Sequence, residues 1–314
     1  MKKELIAQRD PKSPVSEVFR TLRTNIQFMN TNNKLQTLLV TSTFPGEGKS
    51  WVASNLAVTF AQAGKKVVLI DADMRKGRQY TIFEVSPRPG LSNYLSGVNA
   101  NSEEGSDDVI DYIQETEIKN LYVMSAGNIP PNPSELLISP KMVGVLDKLK
   151  QLCDLVIVDG TPCELLADSI ILSRLVDSTV VVTAHKATKK ENLKKIVTNI
   201  QNVGGKIAGI VLNKIPVSAK KYEQSYYYGS TSMKSDRNHK GAVYTKNSNS
   251  RRNKVEQMKS RVRPQENIKP KVQNNADNNN LENKIHIQSN NDISKEKADN
   301  IFSQINSYME KDNK

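Results

Sequence analysis

A glycine-rich segment that follows an apolar run and opens a helical pattern constrains this chain more than any other feature. Thr43–Ser50 has the sequence TFPGEGKS and fits the pattern G-x-x-x-x-G-K-[S/T] except at its first position, where Thr43 replaces glycine. In that pattern, successive backbone N–H groups surround a phosphate, so glycines are needed where a Cβ atom would collide. Lys49 would reach the outer phosphates, and Ser50 would offer its hydroxyl to Mg²⁺. The segment therefore predicts a nucleoside triphosphate site between a strand and a helix.

Short apolar runs alternate with amphipathic helical patterns between residues 35 and 216. Because the runs are apolar on both faces, they indicate an α/β fold with a mostly parallel sheet and helices on both sides. The predicted strands are Leu35–Thr41, Lys66–Asp71, Leu121–Ser125, Leu155–Asp159, Ser178–Ala184 and Lys206–Asn213. The predicted helices are Ser16–Asn30 with Ser16 as its N-cap, Ser50–Ala63, Pro133–Lys150, Ala167–Leu175 and Lys189–Asn202.

Acidic residues follow two of the predicted strands. Asp71 and Asp73 come after the run VVLI, and Asp159 comes after the run LVIV. Carboxylates at the carboxyl ends of parallel strands face the crevice in which open α/β sheets bind ligands. Mg²⁺ prefers such oxygen ligands and needs only one or two of them from the protein. Aspartate is also a common turn residue, so each carboxylate taken alone leaves a structural role open. Beside Lys49, the three together predict a magnesium–nucleotide site.

The composition changes beyond Pro216. Residues 217–271 contain 14 Lys and Arg residues against four Asp and Glu residues, and residues 271–291 are dominated by Asn and Gln. Such segments bury too little apolar surface to fold, so we expect a disordered tail that is first basic and then Asn-rich. Its charge favours anionic partners, and a nucleic-acid-binding module is one alternative function. Binding of that kind is usually unspecific, so no specific nucleic acid is expected.

The sequence also bears on the compartment. No apolar stretch approaches the ~20 residues that a membrane-spanning helix requires. The N-terminal segment MKKELIAQRD lacks the apolar core of a signal peptide. Two cysteines, Cys153 and Cys163, are too few for a disulfide framework. We expect a soluble cytoplasmic protein that reaches the inner face of the membrane through a partner or its basic tail.

Together, these motifs resemble those of the bacterial tyrosine kinases that regulate capsular and exopolysaccharide synthesis. The glycine-rich loop, Asp71–Arg75 and Asp159–Pro162 resemble the Walker A, A′ and B motifs of that family. Two further segments, Ser13–Asn25 and Pro131–Leu137, are also similar to family segments, and a tyrosine cluster follows the last predicted strand. The resemblance implies a P-loop NTPase fold that uses ATP and Mg²⁺ to phosphorylate tyrosine.

The resemblance also implies a role for each matching residue. Asp71 would be the general base, while Asp73 and Asp159 would organise the metal and its waters. The catalytic set would be Lys49, Asp71, Asp73 and Asp159. The metal ligands would be Ser50, Asp71 and Asp159. The nucleotide would be bound by Pro45, Gly46, Glu47, Gly48, Lys49, Ser50, Trp51 and, at its adenine, Asn213.

The implied assembly extends beyond one chain. Glu17, Arg20 and Arg23 resemble an oligomerisation motif that joins subunits into a ring, although Glu17 and Arg20 taken alone favour a plain surface ion pair. The partners would be a separate membrane adaptor of the chain-length-determinant type and a tyrosine phosphatase. The phosphoacceptors, reached in a neighbouring copy, would be Tyr222, Tyr226, Tyr227 and Tyr228. The expected organisation is an oligomerisation segment (1–34), a kinase domain (35–216), the tyrosine cluster (217–230) and the tail (231–314).

Two alternatives remain open at this point. About 86 residues follow Tyr228, more than in typical family members, so Tyr244 and Tyr308 are further candidate phosphoacceptors. A partition- or septum-positioning ATPase without kinase activity would share the scaffold. Those ATPases carry a lysine early in the glycine-rich loop, and Phe44 occupies that position here.

Overall fold

A computed structural model describes residues 4–29, 34–98 and 108–216 of the 314-residue chain. These residues all belong to one unit, Met1–Met233. The predicted tyrosine cluster and tail lie outside the described residues. Within the described ranges, no helix is both long and apolar enough to cross a bilayer.

A seven-stranded sheet forms the centre of the described fold. In chain order, its strands are β1 (Thr37–Ser42), β2 (Val67–Asp71), β3 (Gln114–Glu115), β4 (Leu121–Met124), β5 (Leu155–Pro162), β6 (Ser178–Ala184) and β7 (Ile207–Asn213). Their order across the sheet is β3-β4-β2-β5-β1-β6-β7. The pair β3–β4 is antiparallel and the other neighbouring pairs are parallel. The predicted mostly parallel sheet is therefore confirmed.

The helices follow the expected alternation with the strands. In chain order they are α1 (Ile6–Arg9), α2 (Pro14–Met29), α3 (Lys49–Gln62), α4 (Gln79–Phe83), α5 (Leu91–Ser96), α6 (Pro133–Ile138), α7 (Pro140–Leu152), α8 (Asp168–Leu175) and α9 (Lys190–Asn202), with a 3₁₀ helix at Val109–Tyr112. Gly64, just beyond α3, has φ +83°, which glycine adopts without the steric cost of a side chain. The sequence missed α1, α4, α5, the 3₁₀ helix and β3.

Alternate residues of the central strands enter two separate cores. Leu38 and Val40 of β1 pack with α2 and α3, whereas Leu39 between them packs with α7 and α8. The same alternation holds in β5, where Ile157 joins the first core and Val158 joins the second. Successive strand side chains point to opposite faces, so a strand that is apolar at every position buries both faces. This is why the sheet is covered on both sides.

The prediction of a single helix over Pro133–Lys150 is wrong, because the structure has two helices there, α6 and α7. The chain breaks at Ser139, whose ψ of 151° is extended, and a new helix begins at Pro140. Proline disfavours the helical conformation in the residue before it and has no N–H group to donate. The apolar pattern continues across the break, so the pattern alone did not reveal it.

The predicted N-cap of the first long helix is also wrong. The helix α2 begins at Pro14, and the hydroxyl of Ser13 accepts the backbone N–H of Ser16 at 3.2 Å. Ser16 lies inside the first turn, where its own hydroxyl donates to the carbonyl of Asp10 at 2.6 Å. Proline at the first helical position with a serine just before it is a favourable helix start, which the sequence contained one turn earlier.

Candidate active site

The glycine-rich loop lies between β1 and α3, at the carboxyl edge of the sheet. Gly48 has φ +99°, a conformation that residues with a side chain rarely adopt, and a Cβ atom there would collide with the side-chain amide of Asn213. That amide donates to the carbonyl oxygen of Glu47 at 2.8 Å. Because Asn213 is the last residue of β7, this hydrogen bond connects the edge strand of the sheet to the glycine-rich loop. A contact between Asn213 and adenine stays a prediction.

The side chain of Glu47 anchors the loop to β6. Its buried carboxylate accepts the backbone N–H of Phe44 at 2.8 Å and that of Ala184 at 3.2 Å. The hydroxyl of Thr188 donates to the same carboxylate. These bonds hold the loop in shape, so Glu47 can take part in nucleotide binding through its backbone.

Three aspartates converge on the lysine at the start of α3. The register of β2 and β5 sets Asp71 directly opposite Asp159. The Nζ atom of Lys49 lies 3.1 Å from an oxygen of Asp73 and 3.5 Å from an oxygen of Asp159. It also donates to the hydroxyl of Ser50 at 3.2 Å. The structure thus brings together the four predicted catalytic residues and Ser50.

Burial and mutual repulsion perturb this charged cluster. Burial alone would lower the pKa of Lys49, but attraction by the three aspartates, Asp159 foremost, outweighs burial and raises it. For Asp71, burial and then repulsion from Asp159 raise the pKa to about 7, although the backbone N–H of Gln79 and the charge of Lys49 oppose the rise. Near neutral pH, Lys49 is therefore charged and Asp71 is poised between its two protonation states.

The chain after β2 wraps around the carboxylate of Asp71. One oxygen accepts the backbone N–H groups of Arg78 at 2.8 Å and Gln79 at 2.9 Å, and the other accepts that of Asp73 at 3.2 Å. Asp71 and Asp159 are both fully buried, with no exposed surface. The strand β2 and the following turn thus fix the carboxylate of Asp71.

A cavity of about 500 Å³ opens beside Lys49. It is lined by six of the predicted nucleotide-binding residues, namely Pro45, Gly46, Gly48, Lys49, Ser50 and Trp51. Of the three aspartates, Asp73 lines the cavity, whereas Asp71 and Asp159 do not. Three basic side chains also line it, those of Arg75, Lys76 and Arg78. Its size and its cations suit a ligand that carries phosphate groups.

Two buried side chains that the sequence did not single out complete the site. Gln79 donates to Asp159 at 2.8 Å. Asp168 pairs with the Nε atom of Arg75 at 3.3 Å and accepts the hydroxyl of Ser134. Ser134 belongs to a segment that resembles the kinase family, which marks the segment but did not indicate this contact. Gln79 offered no signal, because one glutamine in a short polar stretch fits any surface turn.

The predicted interface residues lie on α2. Arg20 pairs with Glu17 at 2.7 Å, and their side chains are 33% and 67% exposed. Arg23 instead donates to the carbonyl oxygen of Thr59 in α3 at 2.9 Å, so one of its guanidinium nitrogens is engaged within the chain. The ring interface stays a prediction for all three residues.

A protein-family model matches most of this chain. The model of ParA, described as a NUBPL iron-transfer P-loop NTPase, matches residues 33–305. The matched range contains the glycine-rich loop and all three aspartates. Iron transfer is the property of the proteins after which the model is named. For this chain, the match identifies the P-loop NTPase fold.

Individual relatives are more specific. The chain is 40% identical over 219 residues to the putative tyrosine-protein kinase CapB of Staphylococcus aureus, covering 70% of this chain and 92% of CapB. It is 38% identical over 229 residues to the tyrosine-protein kinase YwqD of Bacillus subtilis, covering 73% and 92%. The crystal structure of the chimeric protein CapA2B2 aligns with a TM-score of 0.63 at 38% identity, covering 69% and 92%. The chain therefore belongs to the bacterial tyrosine kinase family of P-loop proteins.

Proposed function

We propose that this protein transfers the γ-phosphoryl group of Mg–ATP to tyrosine hydroxyls, first of all in its own tyrosine cluster. The observation that carries the proposal is the convergence of Asp71, Asp73 and Asp159 on Lys49 beside the glycine-rich loop. Phosphoryl transfer needs positioned phosphates, a cation that balances their charge and a base for the attacking hydroxyl. The similarity to CapB and YwqD supports tyrosine as the acceptor.

The donor set around Lys49 fits a magnesium ion. One oxygen of Asp159 is buried without a hydrogen-bond donor, and the hydroxyl of Ser50 lies within the same cluster. Mg²⁺ favours such hard oxygen ligands and keeps several waters. We infer that Ser50, Asp71 and Asp159 hold the ion directly or through water, and that Asp73 orders those waters. When bound, the ion neutralises charge on the phosphates.

Asp71 is the proposed general base. A free tyrosine hydroxyl has a pKa near 10 and needs a base at neutral pH. In the absence of the ion, burial raises the pKa of Asp71 to about 7, so its carboxylate accepts a proton more readily than that of an ordinary aspartate. In the reaction, Asp71 takes the hydroxyl proton while the phenolic oxygen bonds to the γ-phosphorus and the bond to ADP breaks. Lys49 would leave Asp73 and Asp159 to contact the phosphates.

Accessibility makes Asp73 the competing candidate for the base. Asp73 lines the cavity, whereas Asp71 is fully buried. A pH–rate profile of Asp71→Asn and Asp73→Asn separates the two. Loss of the acidic limb in Asp71→Asn alone supports the proposal, whereas its loss in Asp73→Asn alone would assign the base to Asp73.

The acceptor and the assembly are also proposed. Tyr222 and Tyr226–Tyr228 follow the last strand closely, and we infer that they enter the cavity of a neighbouring copy in a ring that uses Glu17, Arg20 and Arg23. Each phosphate adds about −1.5 to −2 charges to this basic region, so phosphorylation would alter ring stability and partner binding. A tyrosine phosphatase would reverse the modification.

A membrane adaptor of the chain-length-determinant type would recruit and activate the kinase in capsular or exopolysaccharide synthesis. We expect low activity from the isolated chain and higher activity once the cytoplasmic segment of such an adaptor is added. High activity of the chain alone, unchanged by the segment, would contradict this part of the proposal.

Incubation with γ-labelled ATP and Mg²⁺ tests the kinase function itself. We expect alkali-stable phosphotyrosine that disappears in Lys49→Met and is lost from the cluster when its four tyrosines are changed to phenylalanine. Mass spectrometry would map the modified tyrosines, Tyr244 and Tyr308 included. Release of inorganic phosphate without phosphotyrosine would instead indicate a positioning ATPase.

A further inference from the structure

Gln79 joins the three sequence motifs of the site. It is the first residue of α4 and is fully buried. Its Nε2 atom donates to Asp159 at 2.8 Å and to the carbonyl oxygen of Ser50 at 3.3 Å. Its Oε1 atom accepts the hydroxyl of Ser54 at 2.8 Å, while its backbone N–H donates to Asp71. One residue thus contacts α3, the last residue of β2 and, within β5, Asp159.

The orientation of the Gln79 amide follows from its partners. The carbonyl oxygen of Ser50 can only accept a hydrogen bond, so the N–H side of the amide faces Ser50 and Asp159. The hydroxyl of Ser54 then meets the amide oxygen. One oxygen of Asp159 is therefore held by Gln79. The other is left without a hydrogen-bond donor and lies 3.5 Å from Lys49.

We propose that Gln79 is a positioning residue that aims the other oxygen of Asp159, the one beside Lys49, at the magnesium site. The inference rests on the proposed function only in that it takes Mg²⁺ to be bound with the nucleotide. A carboxylate without such a partner can rotate, and both of its oxygens then compete for Lys49. Residues that orient metal ligands typically change metal affinity or activity by 10–100-fold when they are replaced.

The Gln79→Met variant removes the donor and keeps the length of the side chain. Trp51 is the single tryptophan of the chain and lines the cavity, so its fluorescence can report ADP binding with and without Mg²⁺. We expect ADP affinity in EDTA to stay within about twofold of the wild type, since Lys49 and the loop are intact. We expect the factor by which Mg²⁺ increases the affinity for ADP to fall by about 10–100-fold.

Ser54→Ala is the matched control. It removes the partner of the amide oxygen and leaves the donation to Asp159 in place, so the effect of Mg²⁺ should be kept. An equal loss in Ser54→Ala would overturn the proposal, because general loosening of the network would explain both variants. If Gln79→Met does not fold, Gln79→Asn tests the same contact by withdrawing the amide by one methylene, and the effect of Mg²⁺ should again fall.

The inference and the proposed kinase function fail in different ways. Mg²⁺ that tightens ADP binding equally in the wild type and in Gln79→Met would overturn the inference. A wild-type protein whose ADP affinity does not depend on Mg²⁺ would overturn it as well. Absence of phosphotyrosine, even with the adaptor segment added, in a protein that still shows the expected binding pattern would refute the kinase function and support the positioning role of Gln79.

Discussion

Lys49→Met, which removes the loop lysine, should destabilise the nucleotide-free protein as well as inactivate it. The ammonium of Lys49 lies 3.1 Å from Asp73 and 3.5 Å from Asp159. At these distances and an effective dielectric constant of about 20, each attraction is worth about 5 kcal/mol, much of it offset by burial of the ammonium. Removing one partner of a buried ion pair typically costs about 3–5 kcal/mol, because the remaining charge stays buried and uncompensated. We expect a loss of that size at pH 8.

The loss should be smaller at pH 5. Asp71 has a pKa raised to about 7 in the folded protein, and the charge of Lys49 opposes that rise. Without Lys49, the pKa of Asp71 in the folded protein rises further. A carboxyl group whose pKa is raised by folding destabilises the folded state as the pH increases through the pKa of the folded state. At pH 5, Asp71 is protonated and one buried negative charge is absent. The difference between variant and wild type should therefore grow from pH 5 to pH 8.

Urea unfolding followed by far-ultraviolet circular dichroism measures the loss of unfolding free energy at pH 8 and at pH 5. The measurement is made in EDTA and without nucleotide. Lys150→Met is a matched control, because Lys150 forms a surface pair with Asp147 at 3.3 Å. Such exposed pairs contribute about 0–1 kcal/mol, so the control should stay close to the wild type at both pH values. Equal unfolding free energies for Lys49→Met and the wild type at pH 8 would refute the reasoning.

Three further substitutions test other parts of the site. Gly48→Ala should fold yet lose ADP binding by equilibrium dialysis, because the methyl group collides with the amide of Asn213; retained affinity would contradict this. Asp168→Asn should lower the unfolding free energy by about 1–3 kcal/mol, because it breaks the pair with Arg75; an unchanged urea midpoint would argue against it. The wild type should lose stability as the pH rises to about 7, because Asp71, whose pKa is raised in the fold, ionises more readily in the unfolded chain, and Asp71→Asn should show a smaller loss. An unaltered pH dependence of the unfolding free energy would count against the raised pKa.

The strands were the most predictable part of the fold. The observed bounds of β6, Ser178–Ala184, are those predicted, and β7 begins one residue later than predicted. Every residue of β6 is buried, whereas β7, at the edge of the sheet, is only partly buried. Both runs are largely apolar, and no helical period competes with them. Short helices such as α4 and α5 carry no such signal, since five or six residues do not complete two turns. They form because neighbouring elements bury them.

The chemistry of the site was predictable only where it lies in local sequence. Lys49, Asp71 and Asp159 stand at fixed places relative to a strand or loop, so sequence motifs find them. The anchoring of Glu47 by Thr188 joins residues 141 positions apart, and the bond from Gln79 to Asp159 spans 80 positions. Contacts of this kind depend on how the elements pack and leave no periodic or spacing signal in the chain.

The opposition of Asp71 and Asp159 across β2 and β5 limits how this enzyme can change. The ladder of backbone hydrogen bonds sets both carboxylates, so inserting or deleting one residue in either strand would turn its acid to the opposite face. Core side chains can be exchanged for others of similar volume, because the ladder does not depend on their identity. Insertions or deletions in these two strands should therefore abolish activity, whereas exchanges of their core side chains for others of similar volume should be tolerated.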